Sequence, residues 1–120
     1  VRDQPAQADA ALRTIDELGE RGHRMIVPIA IVAEVVYVVM RTYRVPKGRV
    51  APRLRAALDA HEVVTDEPEI WEDLLTLWGW RGLSFVDAYL AARARRSGAA
   101  VLTFDAALAS TPGLVALRPR

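Results

Sequence analysis

Cysteine is absent from this 120-residue chain. That excludes a disulfide scaffold, a thiol nucleophile, a zinc–thiolate site and an iron–sulfur centre. It also fits a reducing compartment, so a cytoplasmic protein is expected. Lysine is nearly absent: Lys47 stands among sixteen basic residues, and the others are arginines. Charge of one sign is not in excess either, since fifteen acidic residues leave a net charge of +1. Any nucleic-acid role must therefore come from local clustering rather than total charge. No apolar run is long enough to span a membrane. The longest, Met25 to Met40, is interrupted by Pro28 and Glu34, whereas a span needs about 20 predominantly apolar residues. No targeting segment is visible. Apolar residues make up 52% and charged residues 26%, the balance of a folded globular domain.

The periodicities alternate between helix and strand. Pro5 opens an amphipathic helix through Ala8, Ala11, Leu12, Ile15 and Leu18, stopped by Gly19 or Gly22. Met25–Val27 reads as a short buried strand, and Ile29–Tyr43 as a helix buried nearly all round. Strand propensity competes there, but the segment is too long for an ordinary strand. A second amphipathic helix covers Val50 to Leu58, and Val63-Val64 is a strand. Pro68 begins a helix ending near Gly79. Ser84 caps the next helix, which runs from Phe85 to Gly98. Ala100–Thr103 is a strand, 105–109 a short helix, and Leu114–Leu117 a last strand. Strands alternating with helices predict an α/β fold with a mainly parallel sheet, covered on both faces.

Three carboxylates occupy costly or telling positions. Glu34 lies inside Ile29-Ala30-Ile31-Val32-Ala33-Glu34-Val35-Val36, where a charge needs a partner or a metal. Asp87 lies just inside a helix start, and Asp105 follows the strand Val101-Leu102. Sites in open parallel sheets gather at the carboxyl ends of strands. Carboxylates converging there, with no His or Cys cluster, suit a hard divalent cation such as Mg²⁺ or Mn²⁺. The competing readings are structural: an arginine partner for Glu34, helix-start stabilisation by Asp87, and an N-cap role for Asp105.

Three segments carry a family resemblance: Val27-Pro28 with Ala33-Glu34-Val35-Val36-Tyr37-Val38, then Leu83-Ser84-Phe85-Val86-Asp87-Ala88-Tyr89-Leu90-Ala91, then Leu102-Thr103-Phe104-Asp105. In this order the chain resembles the PIN-domain ribonucleases, and within them the VapC-type toxins of bacterial toxin–antitoxin pairs. The resemblance implies a three-layer α/β/α fold over residues 1–120 and a metal-dependent endoribonuclease. It implies that Glu34, Asp87 and Asp105 are catalytic metal ligands for Mg²⁺ or Mn²⁺, accompanied by the Thr103 hydroxyl. It further implies an RNA substrate, a cognate antitoxin and a homodimer. One departure stands out: the family's first strand ends in an Asp-Thr-Asn-like motif, and nothing before Met25 matches it. The expectation is a single PIN-like domain truncated at its N-terminus. Two alternatives stand beside the enzyme: a catalytically incomplete PIN-like module that binds RNA or antitoxin without cleavage, and an unrelated α/β regulatory domain.

Arg41, Arg44, Lys47, Arg49, Arg53 and Arg55 form the strongest basic run, with no acidic residue between Arg41 and Arg55. Arg41, Arg44, Lys47 and Arg49 are the candidate RNA contacts; a solvated helical face is the alternative. Arg93, Arg95 and Arg96 fit the end of a helix, complementing its dipole. His23 and His61 read as surface or capping residues. Trp71 and Trp78, seven apart, share one helical face and read as core. Trp80 and Tyr43 are candidate anchors for a protein partner.

Overall fold

A computed structural model describes residues 5–60, 63–80 and 82–120. The elements run α1 (Pro5–Glu20), β1 (Met25–Ile26), α2 (Ile29–Arg41), α3 (Lys47–Leu58), β2 (Val63–Val64), a 3₁₀ turn (Pro68–Ile70), α4 (Trp71–Trp78), α5 (Phe85–Ser97), β3 (Val101–Leu102), α6 (Ala106–Ala109) and β4 (Ala116–Leu117). The alternation follows the sequence pattern closely. Most side chains of the expected apolar face of α1 fall outside the described residues, as does His61.

The core is built on α4 and α5. Leu74, Leu77 and Trp78 of α4 are buried against Ala88, Ala91 and Ala92 of α5. The alanines let the helices approach, and Trp78 fills the space beside them. Its ring meets Phe85 edge-on, with centroids 5.2 Å apart and planes at 89°, a favoured aromatic arrangement. Ser84 caps α5 by accepting from the Asp87 amide, and Gly98 ends it in the left-handed conformation at φ 77°. Trp71 and Trp78 are both buried, as their spacing implies.

The helix expected to be buried all round is not. Only Ile29, Val32 and Val36 of α2 are buried, while Ile31, Val35, Tyr37 and Val38 are exposed. The buried set falls at i, i+3 and i+7, one stripe facing the α4–α5 layer. The helix also ends earlier than expected. Thr42 caps it, and the chain leaves through Arg44 at φ 58°, a backbone region that favours glycine.

All strand pairing among the described residues is parallel, but it forms two separate pairs. Met25 aligns with Val63 and Ile26 with Val64; Val101 aligns with Ala116 and Leu102 with Leu117. Val27 N–H donates to Val64, and Thr103 N–H to Leu117, so the alternate residues Ile26 and Leu102 turn their backbone away from the partner strand. Their side chains are 73% and 68% exposed. Each pair therefore has both outer edges unpaired among the described residues, and exposes apolar side chains. The helix-rich chain with parallel strands is consistent with a three-layer α/β/α fold. Its radius of gyration is 16.5 Å, against about 13.6 Å for a compact chain of this length.

Candidate functional site

The acidic residues reach the site through helix starts. β1 leads through Pro28 into α2, which carries Glu34 in its second turn. Asp66 holds that helix start, accepting from the Ile29 amide at 3.0 Å. The sequence carries a signal for Asp66: Val63-Val64-Thr65-Asp66 places an acid directly after a strand, much as Val101-Leu102-Thr103-Phe104-Asp105 does. Beside it, Glu67 accepts from the Tyr89 hydroxyl at 2.8 Å and pairs with Arg93 at 3.1 Å. Burial first, then the Glu67 hydrogen bond and charge, push the Tyr89 phenol above its ordinary value.

A cleft of about 300 Å³ lies between the starts of α2 and α5, lined by Ile29, Ala30, Ala33, Asp66, Glu67, Phe85, Val86 and Tyr89. Ala33 and Val86 immediately precede Glu34 and Asp87. Glu34 is exposed, which corrects the expectation of a carboxylate inside an apolar helix. Its helix buries only one stripe, and Glu34 lies off it. Neither an arginine nor any other described residue pairs with it. Asp87 is half-buried at the third position of α5; its backbone amide is used by Ser84, and its carboxylate has no partner among the described residues.

Asp105 is the N-cap of α6, accepting from the Leu108 amide at 2.9 Å through Oδ1. Thr103 Oγ1 accepts from the Asp105 amide at 2.9 Å. The threonine thus fixes the turn that presents Asp105, and its hydroxyl binds no carboxylate among the described residues. The structural alternative for Asp105 is realised in one of its two oxygens.

A hard divalent ion suits these oxygen donors chemically. Yet among the described residues no three of His, Asp and Glu stand together as a metal-holding group. Glu34, Asp87 and Asp105 are therefore not gathered into a complete cation site, and the expected Mg²⁺ or Mn²⁺ has no full set of ligands among them.

The basic run divides. Arg41, Arg44, Arg49 and Arg53 are exposed, and Arg41 lies 5.4 Å from the centre of the exposed Tyr37 ring. Arg55 pairs with Glu72 at 2.6 Å. Lys47 turns inward: its ammonium donates to the carbonyls of Trp78 at 2.7 Å and Leu83 at 2.9 Å. Burial lowers its pKa. Its charge is thus committed to the protein, unlike those of the exposed Arg44, Arg49 and Arg53, for which no ion pair stands among the described residues. Arg95 pairs with Asp73 at 3.6 Å. His23 is exposed, as expected.

Comparison with protein families settles the class. The PIN domain family matches residues 1–114. The chain belongs to the PIN domain family. Curated proteins and solved structures gave no match. PIN domains are generally metal-dependent nucleases acting on nucleic acids. No helix among the described residues is long and apolar enough to cross a membrane.

Proposed function

We propose that this PIN domain is an endoribonuclease toxin of a toxin–antitoxin pair, cutting RNA phosphodiester bonds in the cytoplasm. The observation that carries the reading is the placement of Glu34 and Asp87. Both are carboxylates without partners among the described residues, in the opening turns of two helices that line one cleft. Carboxylates left without a partner are free to take a cation, although Asp87 also lies in the first turn of α5, where an acid favours the helix; their role as site residues rests on the family resemblance.

Arg41, Arg44 and Arg49 are the proposed phosphate contacts, neutralising a backbone that the acids would otherwise repel. Exposed Tyr37 and Tyr43 offer ring faces beside them. Asp105, held by its cap and by Thr103, is the third proposed acid. Mg²⁺ or Mn²⁺ is the proposed cofactor. Because the described acids form no group of three, the proposal includes a further carboxylate from outside the described residues.

An apolar groove of about 510 Å³ between α2 and α3, lined by Ile31, Val35, Val39, Val50 and Leu54 and edged by Arg49 and Arg53, is the proposed seat of an antitoxin helix. The two arginines suit acidic groups flanking an apolar face. A homodimer is the proposed assembly.

The test is cleavage of RNA with Mg²⁺ or Mn²⁺, compared with chelated metal. Expected is metal-dependent cutting that falls at least about a hundredfold in both Glu34→Gln and Asp87→Asn. Cleavage that survives both substitutions with unchanged metal dependence would sink the site. The second reading, a binding module without cleavage, draws on the missing group of three acids. It predicts RNA or antitoxin binding that is indifferent to metal and to both substitutions.

A further inference from the structure

We propose that Lys47 is a positioning residue: by clamping the turn between α4 and α5 it fixes the start of the Asp87 helix relative to the turn that Asp105 caps. The clamp stands on geometry alone; its catalytic consequence rests on the nuclease reading above.

Lys47 opens α3, far in sequence from both acids. Its ammonium donates to Trp78 O and Leu83 O and lies 5.6 Å from the centre of the Trp78 ring. These carbonyls bracket one turn. Trp78 is the last residue of α4, where carbonyls lack helical partners. Leu83 immediately precedes Ser84, the cap of α5. A single cation thus ties the two ends of the turn together.

The turn touches both acid-bearing helices. At one end Ser84 Oγ accepts from the Asp87 amide at 3.1 Å, so the end of the turn is also the start of the Asp87 helix. Just before Leu83, Gly82 lies against α6: an added Cβ would stand 3.0 Å from the Ala107 Cβ. Ala107 lies in the single turn that Asp105 caps. Displacing this turn therefore shifts the start of α5 relative to α6.

The residue type fits the task. An ammonium is a compact donor with three rotatable hydrogens, able to serve two carbonyls from one point. The only lysine in a chain of fifteen arginines occupies this position. A guanidinium would spread its donors over a planar fork and place its charge differently over the ring.

The experiment compares the wild-type chain with Lys47→Met and Lys47→Arg. Amide exchange is followed by mass spectrometry, and RNA cleavage is measured in Mn²⁺. In Lys47→Met, exchange over residues 79–87 is expected to accelerate about tenfold or more, with α2 unchanged. Its kcat is expected to fall about tenfold or more, with KM and the salt dependence of RNA binding unchanged. Unchanged exchange over 79–87 overturns the clamp. Unchanged kcat with a raised KM and a shallower salt dependence overturns it too, since that is the signature of a phosphate contact. Should Lys47→Met fail to fold, Lys47→Arg decides. It is expected to fold with faster exchange over 79–87, and identity with wild type in both exchange and kcat overturns the proposal. A wild-type chain that cuts no RNA removes the nuclease reading, and the exchange comparison alone then decides the clamp.

Discussion

Gly82→Ala isolates the contact by which the α4–α5 turn meets α6. The substitution carries two costs. The first is conformational: Gly82 has φ 81°, where a side chain costs about 1–2 kcal/mol. The second is steric: the new Cβ would stand 3.0 Å from the Ala107 Cβ, with carbon atoms normally about 3.5–4.0 Å apart. Neither atom is the end of a flexible side chain, so a helix or the turn must move; overpacking of this kind typically costs about 1–3 kcal/mol. Against both runs a gain of about 0.4–1 kcal/mol from the stiffer unfolded chain. The expected loss is about 1–5 kcal/mol. Gly98→Ala supplies the control. It has φ 77°, and an added Cβ meets nothing within 4 Å, so it bears only the conformational cost. Urea unfolding followed by far-ultraviolet circular dichroism gives both values, and their difference is the steric part. Equal losses for the two variants would refute the reasoning, because the turn would then not be pressed against α6.

Further outcomes follow from the same packing. Leu74→Ala should lower stability by about 2–5 kcal/mol in urea unfolding, because Leu74 is fully buried between α4 and α5. Arg44→Gly should raise the unfolding free energy measured in urea by up to about 1 kcal/mol, since glycine relaxes the left-handed backbone at φ 58°. Under the nuclease reading the same change weakens RNA binding, so a gain in stability and a loss of affinity should appear together. Substituting Arg41, Arg44 and Arg49 together by alanine should flatten the log–log salt dependence of single-stranded RNA affinity by about 2, at about 0.7 for each phosphate no longer neutralised. Tyr89 bears on alkaline pH: its folded pKa is raised above 10.0. Its contribution is therefore full below that pH and is lost as pH climbs through the raised value. The Tyr89→Phe variant should show a smaller alkaline loss of stability, and subtracting its ultraviolet titration from wild type should leave one phenol ionising late.

Glu34 and Lys47 show where sequence reasoning misplaces a charge. Apolar residues flank Glu34 on both sides and suggest burial. Burial of a helix residue depends on which stripe faces a neighbour, and only Ile29, Val32 and Val36 do so. Lys47 reads in the sequence as one more cation in a basic run. Its partners, Trp78 and Leu83, lie 31 and 36 residues away, so nothing local announces them. Asp66 follows a strand and is legible in principle, but one short strand and one acid make a weak signal.

The sequence by itself determined the element order, the cap at Ser84, the stop at Gly98, the tryptophan-bearing core helix and the family. Each of these rests on residues within a few positions of one another, where helix and turn chemistry decide the outcome. The tertiary structure alone decided that the strands stand as two parallel pairs and that Glu34 faces outward. It also placed the starts of α2 and α5 along one cleft and turned the only lysine onto a distant turn. Those outcomes depend on pairing and packing between segments far apart in the chain, which leave no local periodicity to read.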